Sequence, residues 1–161
     1  MGGRDGGQWQ AAVAEALEWS EAHPTFDATI ADLPRELRGV RPHGLPHSVW
    51  ELVEHIRLAQ ADLIALVTDE GYTAPAFPDG YWPPSPEPPS AAAWNESVEA
   101  VRRGRARLRE LAMRARADAL ERPDAAAPTA LNAVLQAIDH TSYHLGQLVL
   151  TRRLLGAWPG A

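Results

Sequence analysis

The sequence predicts an all-α protein: a four-helix bundle in up-down-down-up order, with a long proline-rich crossover between helices two and three. Three observations carry this. Four long stretches repeat apolar residues at helical spacing. No stretch alternates apolar and polar residues as a half-buried strand does. Residues 71–89, GYTAPAFPDGYWPPSPEPP, hold seven of the chain's 14 prolines, which neither a helix interior nor a central strand accepts. Bundle connections usually run about 2–8 residues, so helices two and three are not expected to be antiparallel neighbours.

The first helical stretch covers about residues 8–33, with Trp9, Val13, Ala16 and Leu17 in helical register. His23-Pro24 breaks or kinks it, because the residue before a proline is pushed away from the helical region. Thr25 then serves as a new N-cap for FDATIADL, and Pro34 ends that piece. The second stretch is better signed. Ser48 is followed three residues later by Glu51, a capping box, so the helix should begin near Val49. Val49, Val53, Ile56, Leu63 and Val67 form its apolar stripe, and Gly71 lies just past its end. The third starts after Ser90 and runs to about Glu121. Pro123 and Pro128 bracket a short loop, Thr129 caps the fourth helix over about 130–155, and Gly156 and Pro159 stop it.

At 161 residues, 45% hydrophobic and 22% charged, the chain suits one domain, 1–161, with residues 1–7 expected to be flexible. No apolar run approaches the roughly 18–20 residues that span a bilayer, and MGGRDGGQWQ has no signal-peptide core. A cytoplasmic protein without a membrane partner is expected. The absence of cysteine removes disulfides, thiolate ligands and a cysteine nucleophile. Net charge is −6, a poor match to phosphate backbones, and no nucleic-acid partner is expected. All 15 cations are arginine. The one basic run, residues 102–116, reads as a solvated face opposite Val101, Leu108, Leu111, Ala112, Ala115 and Ala119, interleaved with Glu99, Glu110 and Asp118.

The fourth helix carries DHTSYHLGQ, residues 139–147. On a helical wheel Leu131, Val134, Leu135, Ile138, Leu145 and Val149 point one way. His140 and His144 point to another side, with Ala133, Gln136, Ala137, Gln147 and Thr151. Only Asp139, Arg152 and Arg153 are charged, so the helix should be covered on most sides, its histidines facing something enclosed and moderately polar. Side chains four apart stack on one helix face, so two imidazoles can converge on one ion at about 2.0–2.1 Å each for zinc. The alternative is two core histidines satisfied by carbonyls or by Asp139. A third ligand must come from His23, His43, His47 or His55. His55, mid-helix two, is best placed to meet helix four. His47 precedes the cap, about 12 Å along the helix from His55, so both cannot bind one ion. His23 and His43 flank prolines in connections and look exposed.

HSVWELVEHIRLAQADL and DHTSYHLGQLVLTRRLLGAWP together resemble the DinB-like (DinB/YfiT) family, and DGYWPPSPEPPSAAAW resembles one branch of it. The likeness covers about His23 to Trp158. It implies a four-helix bundle with a long crossover and a divalent metal, usually nickel or zinc, held by three histidines. These carry over to His55, His140 and His144. Relatives of this fold are metal-dependent thiol transferases and a thiol-dependent isomerase, using low-molecular-weight thiols such as bacillithiol or mycothiol.

Three neutral histidines leave a coordination position open, the pattern of a catalytic zinc site. By resemblance, thiol-dependent S-transfer on a small molecule is the leading chemistry. The alternatives are hydrolysis, a metal-binding but non-catalytic stress-response or interaction protein, and a structural bundle with core histidines. Glu51 and Gln147 are the candidate catalytic residues, Gln147 as an orienting group. Asp62 and Glu51 could equally be solvated surface. Tyr143 is expected to pack between helices, while Tyr81 and Trp82 either wall the site mouth or form a surface clasp. The resemblance and the apolar tail LLGAWPGA point to a homodimer.

Overall fold

The structure, a computed structural model, describes residues 7–116 and 129–159. Among these residues there are five α-helices, two short 3₁₀ turns and no strand. The expected flexible start, apart from Gly7, lies outside them.

α1 spans Gln8–Ala16 and α2 spans Phe26–Ile30. The single stretch expected over 8–33 is therefore two short helices, and α1 ends well before His23-Pro24. Residues 18–22 are all exposed, so another turn would bury no apolar surface to offset its ordering cost. Thr25 caps α2 as expected, its hydroxyl accepting from the Ala28 N–H at 3.2 Å. Asp32, at φ 55°, turns the chain away before Pro34.

α3 spans Val49–Thr68, and its capping box forms from both sides: Ser48 accepts from the Glu51 N–H, and Glu51 accepts from the Ser48 N–H at 2.8 Å. Its first two turns are buried all round, from Val49 to Ile56. Residues 71–89 form no α-helix, only a 3₁₀ turn at Asp79–Tyr81. The segment is anchored at its far end by the Ser48 hydroxyl, which donates to the Pro86 carbonyl. It is also held close to Gly39, where a Cβ would meet Glu87 Cα at 2.7 Å.

α4 spans Ala91–Arg114, capped by Ser90. It ends short of the expected Glu121, with Ala115 extended and its carbonyl taken by the Gln10 side chain at 3.2 Å. Residues 117–121 and the loop expected between Pro123 and Pro128 lie outside the described residues. Val101, Leu108, Leu111, Ala112 and Ala115 are buried as expected. The arginine face is partly neutralised: Arg102 and Arg105 bond Asp27 of α2, and Arg107 bonds Glu110.

α5 spans Ala130–Leu154, from the Thr129 cap to Gly156 at φ +66°. Its burial agrees with expectation on the histidine side and departs from it at Leu135 and Tyr143. Ala133, Ala137, His144 and Thr151 are buried along with Leu131, Val134, Leu145 and Leu148, whereas Leu135, Tyr143, Leu150 and Leu154 are exposed. The small residues of the histidine side let α5 sit close to its neighbours, which draws that side inward and leaves larger apolar groups outside. Arg152 is fully buried and bonds only carbonyls, donating to Thr29 at 2.6 Å and to Ala157 at 2.6 and 3.0 Å. It thereby ties α2 to the chain's end.

Two cores result. One joins α2 with the starts of α3 and α4 and the second half of α5, through Phe26, Val49, Ile56, Trp94, Val98 and Leu148. The other joins α1 with the ends of α3 and α4 and the first half of α5, through Ala14, Leu63, Leu108, Ala112, Val134 and Ala137. No described helix is long and apolar enough to cross a membrane.

Candidate metal centre

The capping box sets where α3 begins, and so places His55 in its second turn. α5 carries His140 and His144 one turn apart. The three imidazoles meet: His140 Nε2 lies 3.0 Å from His55 Nε2 and 3.1 Å from His144 Nε2. His55 and His144 are buried and His140 is half-buried.

The outer nitrogens determine what the inner ones present. His55 Nδ1–H donates to the Tyr81 carbonyl at 2.8 Å, and His144 Nδ1–H donates to Gln147 Oε1 at 2.7 Å. Amide oxygens accept and never donate, so both Nδ1 atoms carry the proton and both Nε2 atoms present lone pairs. A proton on His140 Nε2 could serve only one of these neighbours well. The chemistry of this donor set therefore fits a shared cation. Two nitrogens at about 2.0–2.1 Å from one ion lie about 2.8–3.4 Å apart at angles near 90–109°, which brackets the two spacings observed. No carboxylate joins the cluster among the described residues.

Electrostatics favour the ligand form. Burial pushes His140 and His144 down to about 4; a charge on His55 would add to this for both, while the Gln147 bond opposes it at His144. Burial also lowers His55, against the Tyr81 hydrogen bond that favours its protonated form. Neutral imidazole is the species that binds metal.

An aromatic stack backs the site. Trp82 lies parallel to His55 at 4.0 Å between ring centroids, and its other neighbour, His47, stacks on it at 3.9 Å and 11°. Of the two readings open for Trp82, a wall beside the histidines is the one found. His47 is not among the clustered histidines, but it is coupled to them through the indole. Its Nδ1 is buried without a hydrogen-bond partner.

Other candidates fall elsewhere. Glu51 is buried, not solvated: its oxygens accept from Arg41 Nε at 2.8 Å, from Arg41 Nη2 and from the Ser48 N–H. Asp62, the other carboxylate weighed as surface, is also buried and accepts from the Tyr72 hydroxyl at 2.9 Å. Tyr143 is 64% exposed rather than packed between helices, its ring edge-on to His144 at 4.9 Å. His43 is exposed as expected. His23 is half-buried, bonding the Pro24 carbonyl at 3.0 Å and the Ser142 hydroxyl of α5 at 3.2 Å. A cavity of about 570 Å³ between α3, α4 and Pro83–Pro89 includes none of the three histidines. Chemistry, not cavity size, picks out the site.

A family model of the DinB superfamily matches residues 18–148, a span that holds all three histidines. The chain belongs to the DinB superfamily. No curated protein matches it, and no solved structure does. For this DinB superfamily chain, two parts of the site escaped sequence reasoning. The Tyr81 carbonyl is a main-chain atom, with no residue type to betray it. The His47–Trp82–His55 stack joins residues from three segments that share no periodicity. Gln147 was in view as an orienting group, and the structure bonds it to His144.

Proposed function

We propose that His55, His140 and His144 hold a divalent metal, nickel or zinc, and that the chain is a metal-dependent enzyme performing thiol-dependent S-transfer on a small molecule. The convergence of three Nε2 atoms, two of them with their outer nitrogens fixed as donors, carries this reading. When bound, such an ion supplies Lewis acidity that stabilises the thiolate of a low-molecular-weight thiol, the reactive form. Gln147 and the Tyr81 carbonyl hold the tautomers of His144 and His55, and Trp82 shields His55 on one face. Membership of the DinB superfamily supports the metal site, and the choice of S-transfer rests on resemblance.

The wider reading is one domain over 1–161, arranged as an up-down-down-up bundle with 71–89 as its crossover. The packing of the start of α3 with the start of α4 and the second half of α5 supports that order. A cytoplasmic location and no nucleic-acid or membrane partner belong to the same proposal. So does a homodimer, supported by Leu135, Tyr143 and Leu154 exposed along α5 and tested by sedimentation.

The test is metal analysis of purified protein beside His55→Ala and His140→Ala, followed by a turnover screen of electrophiles with bacillithiol, mycothiol and related thiols. Nickel or zinc near one per chain, lost in both variants, is the expected result. No uptake by the unaltered protein would sink the site. A specific observation favours a second reading: both Glu51 oxygens are engaged and, among the described residues, no carboxylate reaches the cluster. On that reading the chain binds metal without catalysis, as a stress-response or interaction protein. Absence of turnover with every thiol would select it.

A further inference from the structure

α5 keeps one face clear of the bundle. Leu135, Tyr143, Leu150 and Leu154 are exposed on it. Asp139, Gly146 and Arg153 share the same exposed arc, about 100° wide at 3.6 residues per turn. From Leu135 to Leu154 the face runs about 29 Å. Large apolar side chains aligned on one exposed face mark an interaction surface, unlike apolar residues scattered singly. Apolar groups also flank the helix. Leu45 and Pro46 border Leu150 on one side, and Trp19, itself exposed, borders Ile138 and Ser142 on the other. The surface is thus wider than one helix, as a specific interface of roughly 800 Å² per partner requires.

The placement of charge says what covers this face. Asp139 and Arg153 lie seven residues before and seven after Gly146, while Tyr143 and Leu150 lie three before and four after. Among the described residues, the Asp139 side chain has no ion pair or hydrogen bond. The Arg153 side chain has only the Trp158 ring, 5.8 Å from its guanidinium. Gly146 serves no packing need within its own chain. Glycine weakens a helix interior relative to alanine, yet a Cβ at this position would meet nothing within 4 Å. Opposite charges stand at equal distances from the centre of the face, and the centre itself has no side chain. Such a face is complementary to itself when turned end for end, as an isologous contact demands. A parallel pairing would instead set each Asp139 against its own copy.

We infer that two copies of this chain pair through α5, antiparallel about a twofold axis at Gly146. Each Asp139 then meets Arg153 of the partner subunit, and each Tyr143 meets the partner's Leu150. The inference deepens the homodimer reading and rests on it. Because the Tyr143 ring stands edge-on to His144 at 4.9 Å, the pairing brings the second copy to the border of the proposed metal centre.

The experiment measures the dimer dissociation constant of full-length protein by sedimentation equilibrium at low ionic strength, where exposed charges are least screened. Gly146→Leu drives a side chain into the central gap. It should weaken the dimer at least about ten-fold, while far-ultraviolet circular dichroism shows the helices retained. Asp139→Arg and Arg153→Asp each set like charges together twice, because the axis repeats the pair. Each should weaken the dimer about ten-fold. The double variant, whose net charge equals that of the unaltered protein, should recover most of the loss. If folded Gly146→Leu leaves the dimer as tight as before, or if the double variant is no tighter than the single ones, the inference fails while the homodimer reading stands. If Gly146→Leu does not fold, the charge series decides alone. Unaltered protein that stays monomeric up to millimolar concentration removes both.

Discussion

Trp82 lies flat against His55, ring planes parallel and centroids 4.0 Å apart, with His47 stacked on the opposite face of the indole. An imidazole so faced can swing only by leaving the stack, and the Tyr81 carbonyl fixes its remaining freedom. Trp82→Ala should weaken nickel or zinc affinity by about ten-fold, the low end for supports of a metal ligand, and Trp82→Phe should recover most of it. Chelator competition measures both. Nickel should also quench tryptophan emission in the unaltered protein more than in Trp82→Phe.

Gln147 gives His144 its tautomer. Gln147→Leu removes the acceptor for Nδ1–H and lets the proton move to Nε2, where it blocks the lone pair. Metal affinity should fall about 10–100-fold, whereas Gln147→Glu, which keeps an acceptor, should retain it. Equal affinity in Gln147→Leu would mean that the hydrogen bond at 2.7 Å does not set the ligand form.

Glu51 should make stability depend on acid. Burial would raise its carboxyl, but hydrogen bonds from Arg41 and the Ser48 N–H and the Arg41 charge outweigh this and hold it below the ordinary 4.5. A depressed carboxylate contributes stability that is fully present above the unfolded value and lost as pH falls through the folded one. The melting-temperature gap between the unaltered protein and Glu51→Gln should be constant above about pH 5 and shrink below about pH 4. A gap independent of pH would rule out the charged form as the source.

Arg152 hydrogen-bonds no carboxylate among the described residues, yet its loss should be costly. Arg152→Leu strands the Thr29 and Ala157 carbonyls, at about 1–3 kcal/mol for each buried group left unpaired. For a chain of this size that is a fall of roughly 4–24 °C in Tm. Arg152→Lys should recover only part, because one ammonium cannot span both carbonyls as the guanidinium does.

Metal should also stabilise the fold on the proposed reading. At 100 times its Kd, a ligand of the native state adds about 2.7 kcal/mol. Calorimetry should show Tm rising with zinc in the unaltered protein and not in His140→Ala.

Much of the architecture was legible because local rules and tertiary packing agree there. Ser48 and Glu51 announced the start of α3, and that start places His55. Thr25, Ser90 and Thr129 each cap a helix as their residue types suggest. Agreement failed where packing overrode pattern. Leu135 shares an arc with Val134 and Ile138 yet is 47% exposed, because the small residues beside the histidines drew the other side inward. Asp62 and Glu51 read as surface from their charge, and burial became tolerable only through Tyr72, Arg41 and Ser48, partners that no periodicity reveals. The supports of His55 were the hardest to see, since one is a carbonyl and another is an indole from a proline-rich segment.

The bond from His55 to the Tyr81 carbonyl has a consequence for how this chain can vary. It asks nothing of the side chain at position 81, only that the main chain arrive there in the right place. Gly80 packed against Pro75 sets that arrival. Exchanging one residue type for another at 81 should therefore leave the anchor in place. Deleting or inserting a single residue between 75 and 82 should pull both the carbonyl and the indole out of reach at once. At this edge of the site, chain length rather than residue identity is what inheritance has to preserve.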